Sequence, residues 1–237
     1  MRFSANLSAM KKANSTTRER SSPARKSRPR ATQGPYLAQR AIPVQKRAKT
    51  SVDAILNAAR RILDDVGLEG FNTNLVAQRA HVRIRTVYRY FPNKYSILVA
   101  LTEQMASQWD SWMEEQFSAL AKSGPDWEAL QRRMISQYVK GVSAQPGAVS
   151  VIRALGVIPQ LRRLDTMLQE RMIEKMTLAL RDRGERLPAS QLRVICRTQI
   201  VSINAGVENY FNIEASERET YLEELAKLSI AYLRLYF

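Results

Sequence analysis

The spacing of apolar residues is the feature that most restricts how this chain can fold. From Thr50 onward, large apolar side chains recur at intervals of three and four residues, as in Ile55, Ala59, Ile62 and Val66. These intervals place the side chains on one face of an α-helix, whereas a half-buried strand would alternate strictly. No stretch combines sustained alternation with turn dipeptides. The sequence therefore predicts an all-α protein.

Capping residues and breakers predict where the first helices begin and end. Thr50 and Asp53 have the spacing of a capping box at the start of the first helix, and Gly67 suits the left-handed position after its end. Asn72 is expected to cap a short second helix. Asn93 is expected to open a long helix that continues to the break at KSGPD, residues 122–126.

Further helices are predicted in the remainder of the chain, with no internal repeat. Pro and Gly residues delimit them, and Ser216 with Glu219 forms a candidate capping box for the last one. Their expected ranges are about 127–144, 148–157, 160–183, 190–212 and 217–236.

Residues 1–46 differ in composition from the rest of the chain. They are rich in Ser, Arg, Ala and Pro, and they hold eleven Lys or Arg but one acid, Glu19. So few large apolar groups cannot offset the entropy of ordering, which predicts a disordered basic arm. One explanation is a solvated tail, or extra residues ahead of an internal start at Met10. The other is an arm that binds phosphates or the minor groove of DNA.

Charge and cysteine content narrow the class of protein. A formal net charge of +15 is typical of proteins that bind a polyanion such as nucleic acid or an anionic membrane. One cysteine, Cys196, and one histidine, His81, exclude a disulfide framework within the chain and argue against a metal site, so no cofactor is expected. No apolar run is long enough for a transmembrane helix, which favours a cytoplasmic protein without a membrane partner.

A short basic segment carries the strongest functional signal. The stretch RAHVRIRTVYRYFPNK, residues 79–94, contains five basic side chains, two tyrosines and no acid. Predicted helices at about 73–80 and 84–91 are separated by only three residues, which is typical of a helix-turn-helix. At about 100° per residue, Val87, Tyr90 and Phe91 share one side of the second helix and are expected in the core.

The opposite side of that helix presents arginine, hydroxyl and phenol groups. Arginine pairs with guanine edges in the major groove of DNA, and hydroxyl groups contact phosphates. The segment therefore predicts recognition of duplex DNA. A solvated charged face is the alternative use of such a stretch. The presented residues are Ile84, Arg85, Thr86, Tyr88 and Arg89.

Residues 67–101, GLEGFNTNLVAQRAHVRIRTVYRYFPNKYSILVAL, resemble the DNA-binding segment of the TetR family of transcriptional regulators. The resemblance depends on several linked features, and with the preceding helix it covers about 50 residues. The turn position that is usually glycine in this family is His81, so His81 is expected to adopt a positive φ. The matching features are Gly67, the capped short helix, Val82, Thr86-Val87-Tyr88, Tyr90-Phe91 and Asn93-Lys94.

The resemblance implies roles for individual residues on the operator. It implies that Asn74, Ile84, Arg85, Thr86 and Arg89 contact the DNA. It also implies that Thr73, Tyr88 and Lys94 hold phosphates.

After the basic arm at 1–46, the resemblance implies two regions: a three-helix DNA-binding domain at 47–96, and a helical domain at 97–237 that the long helix joins to it. By analogy with the family, the last domain binds a small molecule and dimerises through its two final helices. Candidate ligand-binding residues are Trp109, Trp112, Met113, Met134, Tyr138, Met167 and Asn204. Candidate interface residues are Val194, Val201, Val207, Tyr210, Phe211, Leu222, Leu225, Leu228, Tyr232 and Leu235.

The leading hypothesis is a homodimeric transcriptional regulator. In this hypothesis the protein is a repressor that binds a pseudo-palindromic operator in double-stranded DNA. An unknown small-molecule effector releases it from that operator. The alternative is an architectural protein that the basic arm holds to nucleic acid without regard to sequence. An enzyme is not favoured, because the chain has no P-loop, dinucleotide fingerprint, HExxH motif or nucleophile elbow.

Overall fold

The computed structural model describes Leu37, Gln39, residues 46–182 and residues 187–236. Within this part of the chain, the secondary structure is entirely helical, which confirms the predicted all-α class. The predicted basic arm at 1–46 lies outside the described residues except for Leu37, Gln39 and Lys46. The helices are α1 (Lys46–Gly70), α2 (Thr73–Arg79), α3 (Ile84–Tyr90), α4 (Lys94–Lys122), α5 (Trp127–Ser143), α6 (Ala148–Val157), α7 (Arg162–Asp182), α8 (Ala189–Tyr210) and α9 (Arg218–Leu233).

The start of α1 differs from the prediction. The helix already includes Lys46, so Thr50 and Asp53 lie inside it and the predicted capping box is wrong. Ala48 packs against the hydrophobic core, and this contact favours extending the helix ahead of Thr50. Near the other end, Gly67 has the positive φ that the sequence predicts, 64°, but its ψ of −165° is not that of a left-handed helical residue. It kinks the chain within α1, which runs on to Gly70.

The capping box predicted for the last helix is also wrong. The backbone amide of Tyr221 donates to the carbonyl of Glu217 at 2.9 Å, so Glu217 is the N-cap of α9. Glu219 is then the second residue of the helix, whereas a capping box needs its acidic residue at the third. Ser216 precedes the cap and lies in a turn.

The first hydrophobic core joins the amino-terminal helices to α6. Side chains of α1, α2, α3 and the first half of α4 pack together with Val151 and Ala154 of α6 and with Leu161 and Leu164, at and before the start of α7. The second core lies among the last half of α4 and helices α5, α7, α8 and α9, and it includes Cys196. Burial raises the pKa of the Cys196 thiol, so this side chain is unreactive packing.

Helix α4 is the element that spans both cores. Its first two turns contribute Ile97, Leu98 and Leu101 to the first core, and Phe117 and Leu120 contribute to the second. It also crosses the domain boundary that the sequence places between residues 96 and 97. None of the described helices is both long and apolar enough to cross a membrane.

Candidate DNA-binding surface and effector cavity

The first turn of α2 is fixed by its N-cap. The side chain of Asn72 accepts a hydrogen bond from the backbone amide of Leu75 at 2.9 Å, as the sequence predicts. Val76 and Ala77 are buried, and they anchor the short helix on the core. Thr73 and Asn74 follow the cap, with Thr73 half-buried and Asn74 exposed.

The turn between α2 and α3 uses a left-handed histidine. His81 has a φ of 53°, which confirms the conformation expected of a residue at the usual glycine position. The amide of Val82 donates to the carbonyl of Ala77 at 3.0 Å, and the amide of His81 donates to Gln78 at 3.1 Å. These bonds close α2 and direct the chain into α3.

Helix α3 divides into a buried and an exposed side. Val87, Tyr90 and Phe91 are almost completely buried, which confirms their predicted place in the core. On the outer side, Ile84 is 37% and Tyr88 43% exposed. Arg85 and Arg89 are exposed as well, and Thr86 is half-buried.

We call the predicted DNA-contacting residues the recognition surface. The phenol of Tyr88 lies 3.1 Å from the hydroxyl of Thr73, so α3 is bonded to the first turn of α2. The ammonium of Lys94 lies 3.5 Å from the carbonyl of Phe71, and it is half-buried beside the start of α2. The surface contains no acidic residue. Its members are Thr73, Asn74, Ile84, Arg85, Thr86, Tyr88, Arg89 and Lys94.

The start of α4 has a capping box of which only one residue was predicted from the sequence. Asn93 accepts from the amide of Ser96 at 3.0 Å, and the Asn93 amide donates to the Ser96 hydroxyl at 3.3 Å. Asn93 was predicted as the cap, but Ser96 was missed. The signal was available, since a hydrogen-bonding residue at the third helical position completes such a box. The box fixes Lys94 at the first position of α4.

A cavity of about 310 Å³ lies among α4, α5, α6, α7 and α8. Of the predicted ligand-binding residues, Trp109, Met113, Tyr138 and Asn204 line it. The ring of Trp109 packs edge-on against that of Tyr138, with centroids 5.3 Å apart. Burial raises the pKa of the Tyr138 phenol to about 12, and the negative charge of Asp165 adds to the shift.

The other predicted ligand-binding residues lie elsewhere. Trp112 and Met134 line a smaller cavity of about 60 Å³, which shares Met113, Tyr138, Met172 and Asn204 with the larger one. Met167 is 40% exposed on α7 and lines neither cavity. The structure therefore brings six of the seven residues together around two adjoining spaces.

Charged residues of the cavity wall were missed by the sequence analysis. Asp110 accepts hydrogen bonds from Arg171 and, at 3.1 Å, from Lys175. Lys175 also donates to Glu114, and this bond raises the pKa of Lys175. Asp165 and Glu208 complete the charged part of the wall. In the sequence, these charged residues lie between the apolar positions of their helices. Charged residues in such positions are normally assigned to the solvent-exposed face, which is why they were missed.

Helix α6 touches both the cavity and the DNA-binding helices. Val151 and Ile152 line the cavity. Directly before them, the hydroxyl of Ser150 donates to the carbonyl of Leu63 in α1 at 2.8 Å. The amide of Gly147 donates to the Asp64 carboxylate, also in α1, at 3.2 Å. Helix α6 therefore contacts both the cavity and α1, and α1 shares the first core with α2 and α3.

Helices α8 and α9 expose apolar residues. Val194 and Val201 are exposed on α8, Leu228 is exposed on α9, and Leu235 is exposed just beyond it. Of the predicted interface residues, Val207 and Leu225 are instead buried within the chain. The remaining four are half-buried: Tyr210, Phe211, Leu222 and Tyr232.

Two family profiles match this chain. Residues 55–101 match "Bacterial regulatory proteins, tetR family", which is the part that contains α2, α3 and the recognition surface. Residues 126–233 match "Tetracyclin repressor-like, C-terminal domain". The second match covers α5 to α9, and it includes most of the cavity wall.

Curated relatives are similar to part of the chain. The class D tetracycline repressor of Escherichia coli is 23% identical over 136 residues, which are 57% of this chain and 59% of that protein. The class C repressor of the same organism is 25% identical over 122 residues, or 51% of this chain and 53% of that protein. The chain thus matches between half and two thirds of the length of these relatives.

Solved structures share the fold over a longer span. A TetR-family transcriptional regulator from Streptomyces coelicolor has a TM-score of 0.56 and 25% identity, covering 79% of this chain and 99% of its own. Thermus thermophilus FadR, a TetR-family repressor in complex with lauroyl-CoA, has a TM-score of 0.55 and 18% identity, covering 77% and 92%. The chain belongs to the TetR family, whose members are transcriptional regulators rather than enzymes.

Proposed function

We propose that this protein is a homodimeric, sequence-specific DNA-binding repressor in the cytoplasm. It would leave a pseudo-palindromic operator when a small-molecule effector fills the cavity. The observation that carries the proposal is the recognition surface. Its outer side is basic and free of acids, and the buried side chains of Val87, Tyr90 and Phe91 fix its orientation.

The residues of the recognition surface divide into two roles. Arg85 and Arg89 project from the exposed side of α3, where arginine can pair with guanine edges in the major groove. Ile84, Thr86 and Asn74 contact the edges of neighbouring bases. These contacts read the sequence of the operator.

Phosphate binding is assigned to the more constrained residues. Thr73 and Tyr88 are bonded to each other, so both hydroxyls stay at one place on the surface. The ammonium of Lys94 is held near the carbonyl of Phe71. Contacts of this kind set the orientation of a protein on the duplex without carrying sequence information.

The exposed apolar residues of α8 and α9 support a dimer. Val194, Val201, Leu228 and Leu235 would be covered by the same helices of a second copy, as a two-fold interface requires. A two-fold dimer presents two copies of α3 to the same face of the duplex. Half-sites of such operators are spaced about 34 to 36 Å apart, or multiples of this distance.

Release by an effector is supported by the position of α6. This helix contributes to the cavity wall and bonds to α1 through Ser150 and Gly147. An effector lowers operator affinity if it binds more tightly to the arrangement in which the two α3 helices of the dimer are spread apart. The operator must then lower effector affinity by the same factor.

The test is selection of bound sites from a random pool of duplex DNA by the full-length protein. Near-physiological salt suppresses purely electrostatic binding. Enrichment of an inverted repeat supports a sequence-reading dimer. Binding without an enriched sequence contradicts the proposal and favours the architectural alternative.

A shortened chain that begins at Leu37 is the matched control. It lacks most of the basic arm but keeps Leu37, which packs against the first core. A regulator should retain the same site preference and lose mainly affinity and salt dependence. An architectural protein should stop binding DNA.

A further inference from the structure

The cationic side chains of the cavity are already neutralised. Arg171 and Lys175 are the basic residues of the wall, and both bond to the carboxylate of Asp110. Lys175 has a second partner in Glu114. A ligand that enters the cavity therefore meets no free positive charge among the described lining residues.

Two carboxylates of the wall have no cationic partner among the described residues. Asp165 accepts a hydrogen bond from the amide of Gln169 at 2.9 Å, but this donor is neutral. Glu208 forms none of the described ion pairs, and it is half-buried on α8. The two carboxylates leave the cavity with a net negative character, in a chain whose total charge is +15.

Aromatic rings complete the wall beside these carboxylates. Trp109, Tyr138 and Phe211 line the same cavity, together with Met105, Met113 and Met172. The faces of aromatic rings attract cations, and this is how proteins bind quaternary ammonium groups. Tyr138 and Asp165 both line this cavity, so an aromatic ring and a carboxylate without a cationic partner border the same space.

We propose that the cavity binds an apolar organic cation, a protonated amine or quaternary ammonium group on an aromatic or alkyl body. Asp165 and Glu208 would balance the charge, and the aromatic and methionine side chains would surround the apolar part. An anionic ligand would face two uncompensated carboxylates. Arg171 and Lys175 would offer it little net attraction, because the carboxylates of Asp110 and Glu114 already balance their charges.

This inference rests on the proposed function only in taking the cavity as the effector site. Its test is direct binding to the full-length protein in the absence of DNA, so that the two proposals can fail separately. The probes are phenylbutyltrimethylammonium and phenylpentanoate, which have similar apolar bodies and opposite charges. Isothermal titration calorimetry gives the dissociation constant of each.

The cation is expected to bind more tightly than the anion by at least about tenfold, because each uncompensated carboxylate favours one charge and opposes the other. Asp165→Asn and Glu208→Gln should each weaken cation binding by on the order of tenfold and leave anion binding equal or stronger. Glu174→Gln is the matched control. It removes the same charge from an exposed position of α7 that does not line the cavity, so it should change neither affinity.

Equal affinity for the two probes, absence of cation binding, or an effect of Glu174→Gln as large as that of Asp165→Asn overturns the inference. Using two variants guards against a fold defect in one of them, and thermal melting of each identifies such a defect. Cation binding by a protein that selects no DNA sequence leaves the inference standing and overturns the proposed function. If the protein selects an inverted repeat but shows no preference for the cation, the proposed function stands and the inference is overturned.

Discussion

The hydroxyl of Ser150 on α6 donates a hydrogen bond of 2.8 Å to the backbone carbonyl of Leu63 on α1. Ser150 directly precedes Val151 and Ile152 of the cavity wall, and Leu63 is buried in the core that supports α2 and α3. This bond and the one between Gly147 and Asp64 are the polar links between α6 and α1 described above. They hold the helix that forms part of the cavity wall against α1, which packs on α2 and α3 in the first core.

Replacing Ser150 with alanine should loosen α6 from α1. We expect a loss of about 0.5 to 1.5 kcal/mol in unfolding free energy, the usual net value of one hydrogen bond. Hydrogen exchange should increase at the backbone amides of α6 and of the end of α1 more than elsewhere. Urea unfolding and exchange mass spectrometry measure the two effects.

Ser143→Ala is the matched control for that change. The hydroxyl of Ser143 donates to the carbonyl of Val139 within α5, so no contact between helices is lost. Ser143 is also exposed, so we expect its replacement to change the unfolding free energy by close to zero. Equal effects of the two substitutions would show that the bond between Ser150 and Leu63 does not join the helices.

Gly147→Ala should destabilise the protein more strongly. Gly147 has a φ of 73°, and a Cβ atom built on it would lie 2.6 Å from the carbonyl oxygen of Arg60. Both the backbone conformation and the approach of α1 oppose a side chain at this position. We expect a loss of about 1 to 3 kcal/mol, measured by urea unfolding.

Gly156→Ala provides the opposite case on the same helix. A Cβ atom at Gly156 would meet nothing within 4 Å, and the residue lies inside α6. Alanine there should stabilise the protein by about 0.5 to 1 kcal/mol, because glycine has the greater conformational freedom in the unfolded chain. If both glycines tolerated alanine equally, the close approach of α6 to α1 would be contradicted.

His81→Gly should stabilise the turn between α2 and α3. His81 has a positive φ of 53° and an exposed side chain, so glycine removes backbone strain at little cost in packing. We expect a gain of up to about 1 kcal/mol in unfolding free energy, observed as a higher melting temperature. His81→Ala keeps the strain and should give no gain. A stabilising alanine would point to an unfavourable contact of the imidazole instead.

The helix-turn-helix was predictable because its signals are local. Asn72, His81 and Asn93 each act on the few residues beside them, and all three have the predicted roles. The same local reasoning was wrong at Thr50 and Ser216. A pattern of two polar residues three positions apart is common, and packing decides whether a helix starts there.

The charges of the cavity could not be predicted in the same way. Asp110 and Arg171 are 61 residues apart in sequence, and only the packing of α4 against α7 brings them together. Asp165 and Glu208 look like ordinary surface acids when the chain is read alone. By contrast, Trp109 and Tyr138 were found because large aromatic residues near a helix face are candidates for any cavity wall.

Leu228→Glu tests the proposed dimer. Leu228 is 61% exposed on α9, so a charge there costs little in the single chain but opposes burial against a second copy. We expect weaker self-association and, since two half-sites are no longer read together, weaker operator binding. Analytical ultracentrifugation measures the first and fluorescence anisotropy the second.

Lys227→Glu is a neighbouring control for the dimer test. Lys227 is an exposed, charged residue of α9 whose ammonium is bonded to Glu224, so its side chain does not belong to the apolar face. We expect this variant to remain dimeric. Dissociation of Lys227→Glu but not Leu228→Glu would contradict the proposed interface.

Arg85→Ala and Lys94→Ala should separate sequence reading from phosphate binding. Arg85 is exposed on α3, and its loss should cost about 1 to 3 kcal/mol on the selected operator and relax preference at one base pair. Lys94 is held beside Phe71 and Tyr95, and its loss should weaken all sequences about equally and reduce the salt slope by about one. Fluorescence anisotropy on the operator, on single-base variants and at several salt concentrations gives these quantities.

Arg163→Ala is the control for the loss of one positive charge. Arg163 is exposed on α7 and is not a member of the recognition surface, so its replacement should leave base preference unchanged and affect the salt slope less than Lys94→Ala does. Equal losses of affinity on all sequences for Arg85→Ala would place Arg85 on a phosphate. A change in base preference for Lys94→Ala would instead place its ammonium in the groove. Either result would require the roles within the recognition surface to be reassigned, because a residue that reads bases discriminates among sequences and one that binds phosphate does not.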